Sequence, residues 1–190
     1  MEIELLLEEA ERCVDADNYP LAIKNYHNVL NIDPENISAL MSISDCLLKI
    51  NLSAQAEKYA EKAYHLYKDI DDYSAVNFSC VLMDQKKYDL CIAILEREKQ
   101  LKSTNDLLFN NLGYVYYLTG NFHRAIENYT ISILLEEINP LAYCNRGIVK
   151  YYKFNELDDG VNDLLKAQKY GDFEAGMILQ KIGGDKSLLS

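Results

Sequence analysis

The side chains that most often carry catalysis or bind metals are scattered in this sequence. The 190 residues include three histidines and five cysteines, and no two cysteines have the C-x-x-C spacing of a zinc or redox site. His27, His65 and His123 lie far apart, whereas zinc sites normally include ligands that are close in sequence. The glycine-rich nucleotide motifs and the common hydrolase motifs are absent. The sequence therefore predicts a protein that is not an enzyme and has no cofactor or metal site.

Acidic residues are numerous, but their pattern is not that of a catalytic site. Glu8, Glu9 and Glu11, and likewise Asp158 and Asp159, suit solvated helix faces and first turns, where the helix dipole favours negative charge. The formal net charge is −11, and the first 70 residues account for most of the imbalance. Such a chain repels nucleic acid and anionic membrane surfaces, so we predict neither as a partner and expect a basic or neutral one.

One polar residue type recurs at a regular interval. Asn77, Asn111 and Asn145 are separated by two intervals of 34 residues. An asparagine side chain both donates and accepts hydrogen bonds, so a row of them can hold a peptide backbone. We therefore formulate the hypothesis of an asparagine ladder. The alternative, in which each asparagine bonds to a neighbouring helix, stays open.

The helices that must position these residues are best defined between Asn111 and Tyr129. Apolar residues recur there with a helical period on both sides of a short turn. Gly120 can adopt the left-handed conformation that ends a helix, and Asn121 can cap the next helix. Gly113 and Ala125 are small enough for the two helices to pack closely. The stretch is predicted to form two antiparallel helices.

This stretch resembles the tetratricopeptide repeat (TPR), which has a period of ~34 residues. The matching residues are Leu112, Gly113, Tyr116, Gly120, Phe122, Ala125 and Tyr129. The resemblance implies an all-α fold, namely a right-handed α-α superhelix (TPR solenoid) of about five helix-turn-helix repeats plus a C-terminal capping helix.

The repeat pattern is expected to cover one domain, residues 1–182, followed by a flexible tail, residues 183–190. The repeats are predicted at about 3–36, 37–71, 72–105, 106–139 and 140–170, with the capping helix at 173–181. The second helix of the fourth repeat is expected to reach about Glu137. The third repeat is degenerate, since Glu98 replaces an alanine. In the fifth, Gly160 replaces an alanine, which costs ~1 kcal/mol of helix propensity.

The resemblance also implies where a partner binds, because first helices line the concave groove in this family. The positions expected in the groove are Tyr73, Asn77, Leu107, Asn110, Asn111, Tyr114, Tyr117, Asn145, Ile148, Tyr151 and Tyr152. Glu11 and Asp45 are expected to make its N-terminal half acidic. Packing between helices is the alternative role for these side chains. Family members that clamp chaperone C-terminal tails use cations that this chain lacks at the matching positions, so such tails are not expected to bind.

The predicted function is that of a protein–protein interaction module, a scaffold or adaptor that holds a peptide or protein segment in its groove. Self-association through the terminal helices is the alternative, because the consecutive Leu5, Leu6 and Leu7 cannot all face one neighbouring helix. An RNA-binding helical repeat is disfavoured by the negative charge. An odd number of cysteines and an acidic N-terminus indicate a reducing, cytoplasmic location.

Overall fold

The computed structural model describes residues 2–67, 72–101 and 103–187, and within these residues the secondary structure is entirely helical. The helices are α1 Glu2–Asp15, α2 Tyr19–Ile32, α3 Ile37–Lys49, α4 Ser53–Tyr67, α5 Tyr73–Asp84, α6 Tyr88–Gln100, α7 Asp106–Leu118, α8 Phe122–Leu135, α9 Pro140–Lys153, α10 Leu157–Lys169 and α11 Phe173–Ser187. The predicted all-α class is confirmed.

Helices α1 to α5 pack in series, each against the next one in the chain, and helices α7 to α11 do the same. The chain forms two compact units, of which the first ends at Glu98 and the second begins at Lys99. In the first unit α1 packs on α2 and α3 on α4, and α3 also contacts α5. In the second unit α7 packs on α8 and α9 on α10, and α7 also contacts α9. First helices of successive repeats therefore lie side by side within each unit, whereas the single domain over residues 1–182 stays a prediction.

Asparagine side chains begin several of these helices. Each accepts a hydrogen bond from a backbone N–H in the first turn, which satisfies a donor that has no partner inside the helix. The caps are Asn18, Asn36, Asn105, Asn121 and Asn139, with donor–acceptor distances of 2.9–3.4 Å. The local sequence thus sets where these helices begin, and the predicted cap of α8, Asn121, is confirmed.

The turns inside the repeats share one left-handed residue. Gly120 has a φ of 80° there, as predicted. The equivalent turns place Asp17, Asn51, Lys86 and Asn155 at φ between 55° and 61°. A residue with a Cβ in this conformation costs roughly 1–2 kcal/mol, so the packing of the two helices imposes the turn even where glycine is absent.

Helix α8 is shorter than predicted. It ends at Leu135 rather than near Glu137, because the backbone of Glu136 is already extended, with φ −131° and ψ 105°. The chain must leave the helix at this point since Asn139 caps α9, whose first residue is Pro140. The apolar pattern alone could not show this competition between the end of α8 and the beginning of α9.

The last helix is longer than predicted, because α11 continues past Lys181 to Ser187. Two glycines at 183–184 disfavour a helix by ~1 kcal/mol each without forbidding it, and the buried Ile182 anchors this part of the helix. The predicted end of the capping helix at residue 181 was therefore wrong, whereas the flexibility of residues 183–190 stays a prediction. Residues 188–190, and 68–71 at the end of the second predicted repeat, lie outside the described residues.

Glycines permit the closest helix approaches in the second unit. A Cβ on Gly113 would lie 2.7 Å from two ring carbons of Tyr129. A Cβ on Gly160 would lie 2.8 Å from the backbone nitrogen of Tyr151, and one on Gly147 would lie 2.9 Å from the carbonyl oxygen of Gly160. Gly160 lowers the helix propensity of α10, but it is required because α9 and α10 approach each other closely at this position.

A buried ion-pair network also joins α9 to α10. Arg146 donates from Nε and Nη2 to the two carboxylate oxygens of Asp163, at 2.8 and 2.9 Å. Lys150 lies 3.0 Å from the same carboxylate, and a further Arg146 nitrogen donates to Thr130 of α8 at 3.0 Å. Because these groups are largely out of water, each needs the others. Lys150 thus supplies a second cation to the buried carboxylate of Asp163.

The degenerate third repeat is stabilised by another polar contact. Glu98 is buried, and its carboxylate accepts hydrogen bonds from Arg97 and from the Tyr64 hydroxyl, the latter at 3.4 Å. Burial and the nearby Glu98 raise the pKa of Tyr64. The glutamate at an alanine position is therefore tolerated because two donors satisfy it.

Gly160→Ala is expected to destabilise the chain by about 2 kcal/mol, since the added methyl group meets backbone atoms that cannot move aside. Chemical denaturation measures the change. Gly183→Ala is the matched control, because a Cβ there meets nothing within 4 Å and improves helix propensity. Equal effects of the two substitutions would contradict the close approach.

Candidate peptide-binding face

Two first helices of the second unit present aligned faces. On α7, Leu107, Asn110 and Tyr114 follow one another at helical spacing, and on α9 Asn145 and Tyr152 do the same. Asn145 Nδ2 donates to Asn110 Oδ1 at 3.2 Å, so the two faces are adjacent. We call this surface the α7–α9 face. It contains predicted groove residues from both helices.

The α7–α9 face exposes large apolar and aromatic side chains. Leu107 is 43% exposed, Tyr114 39% and Tyr152 51%. Leu141 of α9, which was not predicted as a site residue, is also exposed. Exposed residues of this kind are ordinary singly, but several on neighbouring helices form a contact surface of the type found in binding sites.

A pocket of about 230 Å³ opens within the second unit between α7, α8, α9 and α11. Its lining residues are Tyr114, Tyr117, Tyr129, Asn145, Ile148 and Glu174. The Tyr114 and Tyr117 rings are stacked, with centroids 6.3 Å apart and planes inclined by 20°. We call this the tyrosine pocket. Four of its six lining residues were predicted from the sequence.

The remaining predicted residues of this region also take part in packing. Tyr151 and Ile148 lie against the core formed by α8–α11, and the Tyr151 ring meets that of Tyr152 edge-on, with centroids 4.9 Å apart. Asn110 is buried, and Asn111 is partly buried and has interaction partners. The face is thus held in place by its own helix–helix contacts.

In the first unit, the predicted residues lie on α1, α3 and α5. Asn77 of α5 is buried and donates from Nδ2 to Asp45 Oδ1 of α3 at 2.7 Å. The Asn77 Oδ1 atom is also buried and has no hydrogen-bond partner within the described part of the chain. Tyr73, one turn earlier, is well exposed, as is Glu11 of α1. Asn77 and Asn145 thus donate hydrogen bonds to neighbouring helices, as in the alternative to the asparagine ladder. The binding of a peptide backbone by these asparagines stays a prediction.

Asp45 lies beside a second pocket, of about 150 Å³, between α1, α2 and α3. The residue reaches solvent, but protein atoms crowd its carboxylate and remove part of its water. This desolvation raises the pKa of Asp45 to about 6, although Lys49 and the bond from Asn77 act in the opposite direction. The charge of Asp45 in turn adds to the raised pKa of the Cys46 thiol, for which burial is the main cause. Asp45 is therefore charged at neutral pH at a cost to stability.

Two residues of the tyrosine pocket were missed by sequence reasoning. Tyr129 matches the aromatic of the repeat pattern, which indicated packing, and its ring does pack over Gly113. Glu174 lies in the first turn of α11, and no periodic signal connects it to α7. A tertiary contact brings it to the pocket, so only the folded chain reveals it.

Two kinds of feature are absent from the described ranges. Among those residues, no group of three or more His, Cys, Asp or Glu side chains is arranged to hold a metal ion. No helix there combines the length and apolar character that crossing a membrane requires.

Comparisons with known proteins identify the fold. No family model matches the sequence. A Drosophila melanogaster protein described as a homolog of the BBSome complex member BBS4 is 24% identical over 131 residues, which is 69% of this chain and 27% of that protein. The chain thus spans about a quarter of that relative.

Solved structures resemble the chain much more completely. TTC0263, a TPR protein of Thermus thermophilus, has a TM-score of 0.79 and 14% identity, covering 95% of this chain and 97% of its own. YrrB, described as a TPR protein with an unusual peptide-binding site, has a TM-score of 0.62 and 17% identity, with 93% and 90% covered. Cut9 in the Cut9–Hcn1 complex has a TM-score of 0.80 and 16% identity, covering 89% of this chain and 34% of its own. This chain has the all-α fold of the tetratricopeptide-repeat proteins.

Proposed function

We propose that this chain is a non-catalytic protein–protein interaction module that holds a peptide or protein segment along the first helices of its repeats and acts as a scaffold or adaptor. The observation that carries the proposal is the α7–α9 face. It combines exposed Leu107, Tyr114 and Tyr152 with a polar contact that fixes the two helices. YrrB has the same fold and is described as having a peptide-binding site.

The energetics favour such a module because its surface is preformed. Helices that are already packed lose little conformational entropy on binding, so modest contacts yield useful affinity. Tyrosine adds a large contact area at a small entropic cost. The net charge of −11 favours a basic or neutral segment. The five cysteines are thiols, which supports a reducing, cytoplasmic location.

The Leu107→Ser, Tyr114→Ser, Tyr152→Ser triple variant is expected to bind its partners at least roughly tenfold more weakly, since each lost anchor removes about 1–2 kcal/mol. The immobilised chain is incubated with extract of its source organism, and captured proteins are quantified by mass spectrometry. Binding is then measured with the purified partner.

The matched control for this experiment is Leu134→Ser with Leu165→Ser, which alters exposed leucines on second helices. Circular dichroism confirms that both variants fold. Partners retained by the control and lost by the triple variant support the proposal. Partners lost by the control alone would place binding on the second helices and contradict it.

Asp45→Asn is expected to raise the melting temperature at about pH 7.5, because it removes a poorly hydrated charge and keeps the oxygen that accepts from Asn77. The folded pKa of about 6 exceeds the unfolded value of about 4. The wild type therefore loses stability as the pH rises from about 4 to 7, and the gain should vanish near about pH 4. Glu137→Gln, an exposed control, should show no such trend, and a gain independent of pH would contradict the argument.

Self-association through a terminal helix is the second candidate function. Phe173 of α11 is 79% exposed and Met177, one turn later, is also exposed, which is the pattern of a surface that another chain can cover. If this candidate holds, the molecular mass in solution will rise with concentration, and Phe173→Ser with Met177→Ser will prevent the rise. A constant monomer mass would exclude it.

A further inference from the structure

The polar groups of the tyrosine pocket are mainly hydrogen-bond acceptors. Asn145 uses its Nδ2 to donate to Asn110, which leaves its carbonyl oxygen available. Glu174 contributes the only charge among the lining residues, and it is negative. The phenolic oxygens of Tyr114, Tyr117 and Tyr129 accept as well as donate. A ligand that supplies several donors and a positive charge complements this set.

One lining residue carries a charge that is not used inside the protein. Tyr129 is 1% exposed and its side chain lines the pocket. Glu174 is exposed to solvent and forms no ion pair with the residues that the structure describes. Asp172, two residues before Glu174, instead caps α11 by accepting from Ala175 N at 2.7 Å. The pocket thus holds acceptors that a ligand can satisfy.

We infer that the tyrosine pocket binds a basic side chain, an arginine or a lysine, of the segment that lies on the α7–α9 face. A cation placed over tyrosine rings gains about 0.5–2 kcal/mol from the ring electrons, and Glu174 supplies the opposite charge. The inference rests on the proposed function and specifies one feature of its partner.

The size and surroundings of the pocket agree with such a ligand. A volume of about 230 Å³ is enough for the end of one long side chain. Burial raises the pKa of Tyr129, and the Tyr114 and Tyr117 phenols add to the rise. The Tyr129 hydroxyl therefore resists ionisation, and Glu174 provides the attraction to a cation.

The test uses two small ligands of the same shape and different charge. Acetyl-arginine methylamide carries the guanidinium group, and acetyl-citrulline methylamide replaces it with a neutral urea. Each is titrated into the full chain while the aromatic resonances of Tyr114, Tyr117 and Tyr129 are followed by NMR. The arginine compound is expected to cause saturable shifts, with at least tenfold weaker binding of the citrulline compound. Equal binding, or no saturable shift, overturns the inference.

Two variants locate the effect. Glu174→Gln keeps the shape of the side chain and removes its charge, so it is expected to reduce affinity for the arginine compound at least tenfold. Glu137→Gln makes the same change at an exposed site away from the pocket and is expected to leave affinity unchanged. An equal loss of affinity in both variants would show that only the net charge of the protein matters, and it would overturn the inference.

Failure here is distinguishable from failure of the proposed function. A purified partner that binds Glu174→Gln as tightly as wild type, yet loses affinity for the Leu107, Tyr114, Tyr152 triple variant, would retain the interaction module and remove its preference for a basic side chain. A partner whose affinity falls in both variants supports the two together. A partner unaffected by either would contradict both.

Discussion

The close approach of paired helices is the constraint on which most of this structure depends. Where α7 meets α8, Gly113 leaves room for the ring of Tyr129. Where α9 meets α10, Gly147 and Gly160 bring two backbones together. The consequence extends to the binding surface, because the Tyr129 side chain that packs against Gly113 also lines the tyrosine pocket. Packing in a repeat and the chemistry of its face are therefore two results of the same contact, and a larger residue at position 113 would alter both.

Much of the fold could be predicted because its signals are local. Asparagine caps such as Asn121 and the helix-ending Gly120 act on residues only a few positions away. The local sequence is therefore sufficient to predict where these helices begin and end. The same turn at Lys86 could not be recognised, since lysine has no preference for a left-handed backbone and adopts it only because the two helices of the repeat impose it. The position at which α8 ends was predicted wrongly for a related reason. The residues that would extend α8 are needed to begin the following helix.

The candidate site was predictable only where it follows the repeat period. Tyr114, Asn145 and Ile148 recur at fixed positions on first helices, and the pocket contains all three. Glu174 belongs to the capping helix, outside the period, and only tertiary packing brings it to α7 and α9. The salt bridges between Arg146, Lys150 and Asp163 were missed for the same reason. Arg146 and Lys150 are one turn apart on α9, but their partner lies on another helix and has no sequence signal of its own.

The polar groups of the chain differ in whether the fold itself satisfies them. Asp163, at the contact of α9 and α10, receives three close nitrogen contacts and is held by the fold alone. Asp45 keeps a poorly hydrated charge, and Asn77 Oδ1 is buried without a partner in the described residues. An unsatisfied buried polar group costs about 1–3 kcal/mol, and such costs persist where a function other than stability retains the residue. Asp45 and Asn77 both belong to first helices, the elements to which we assign binding. In the first unit these costs fall on first helices, and in the second unit first helices carry the exposed side chains, so two independent physical arguments point to the same class of helix.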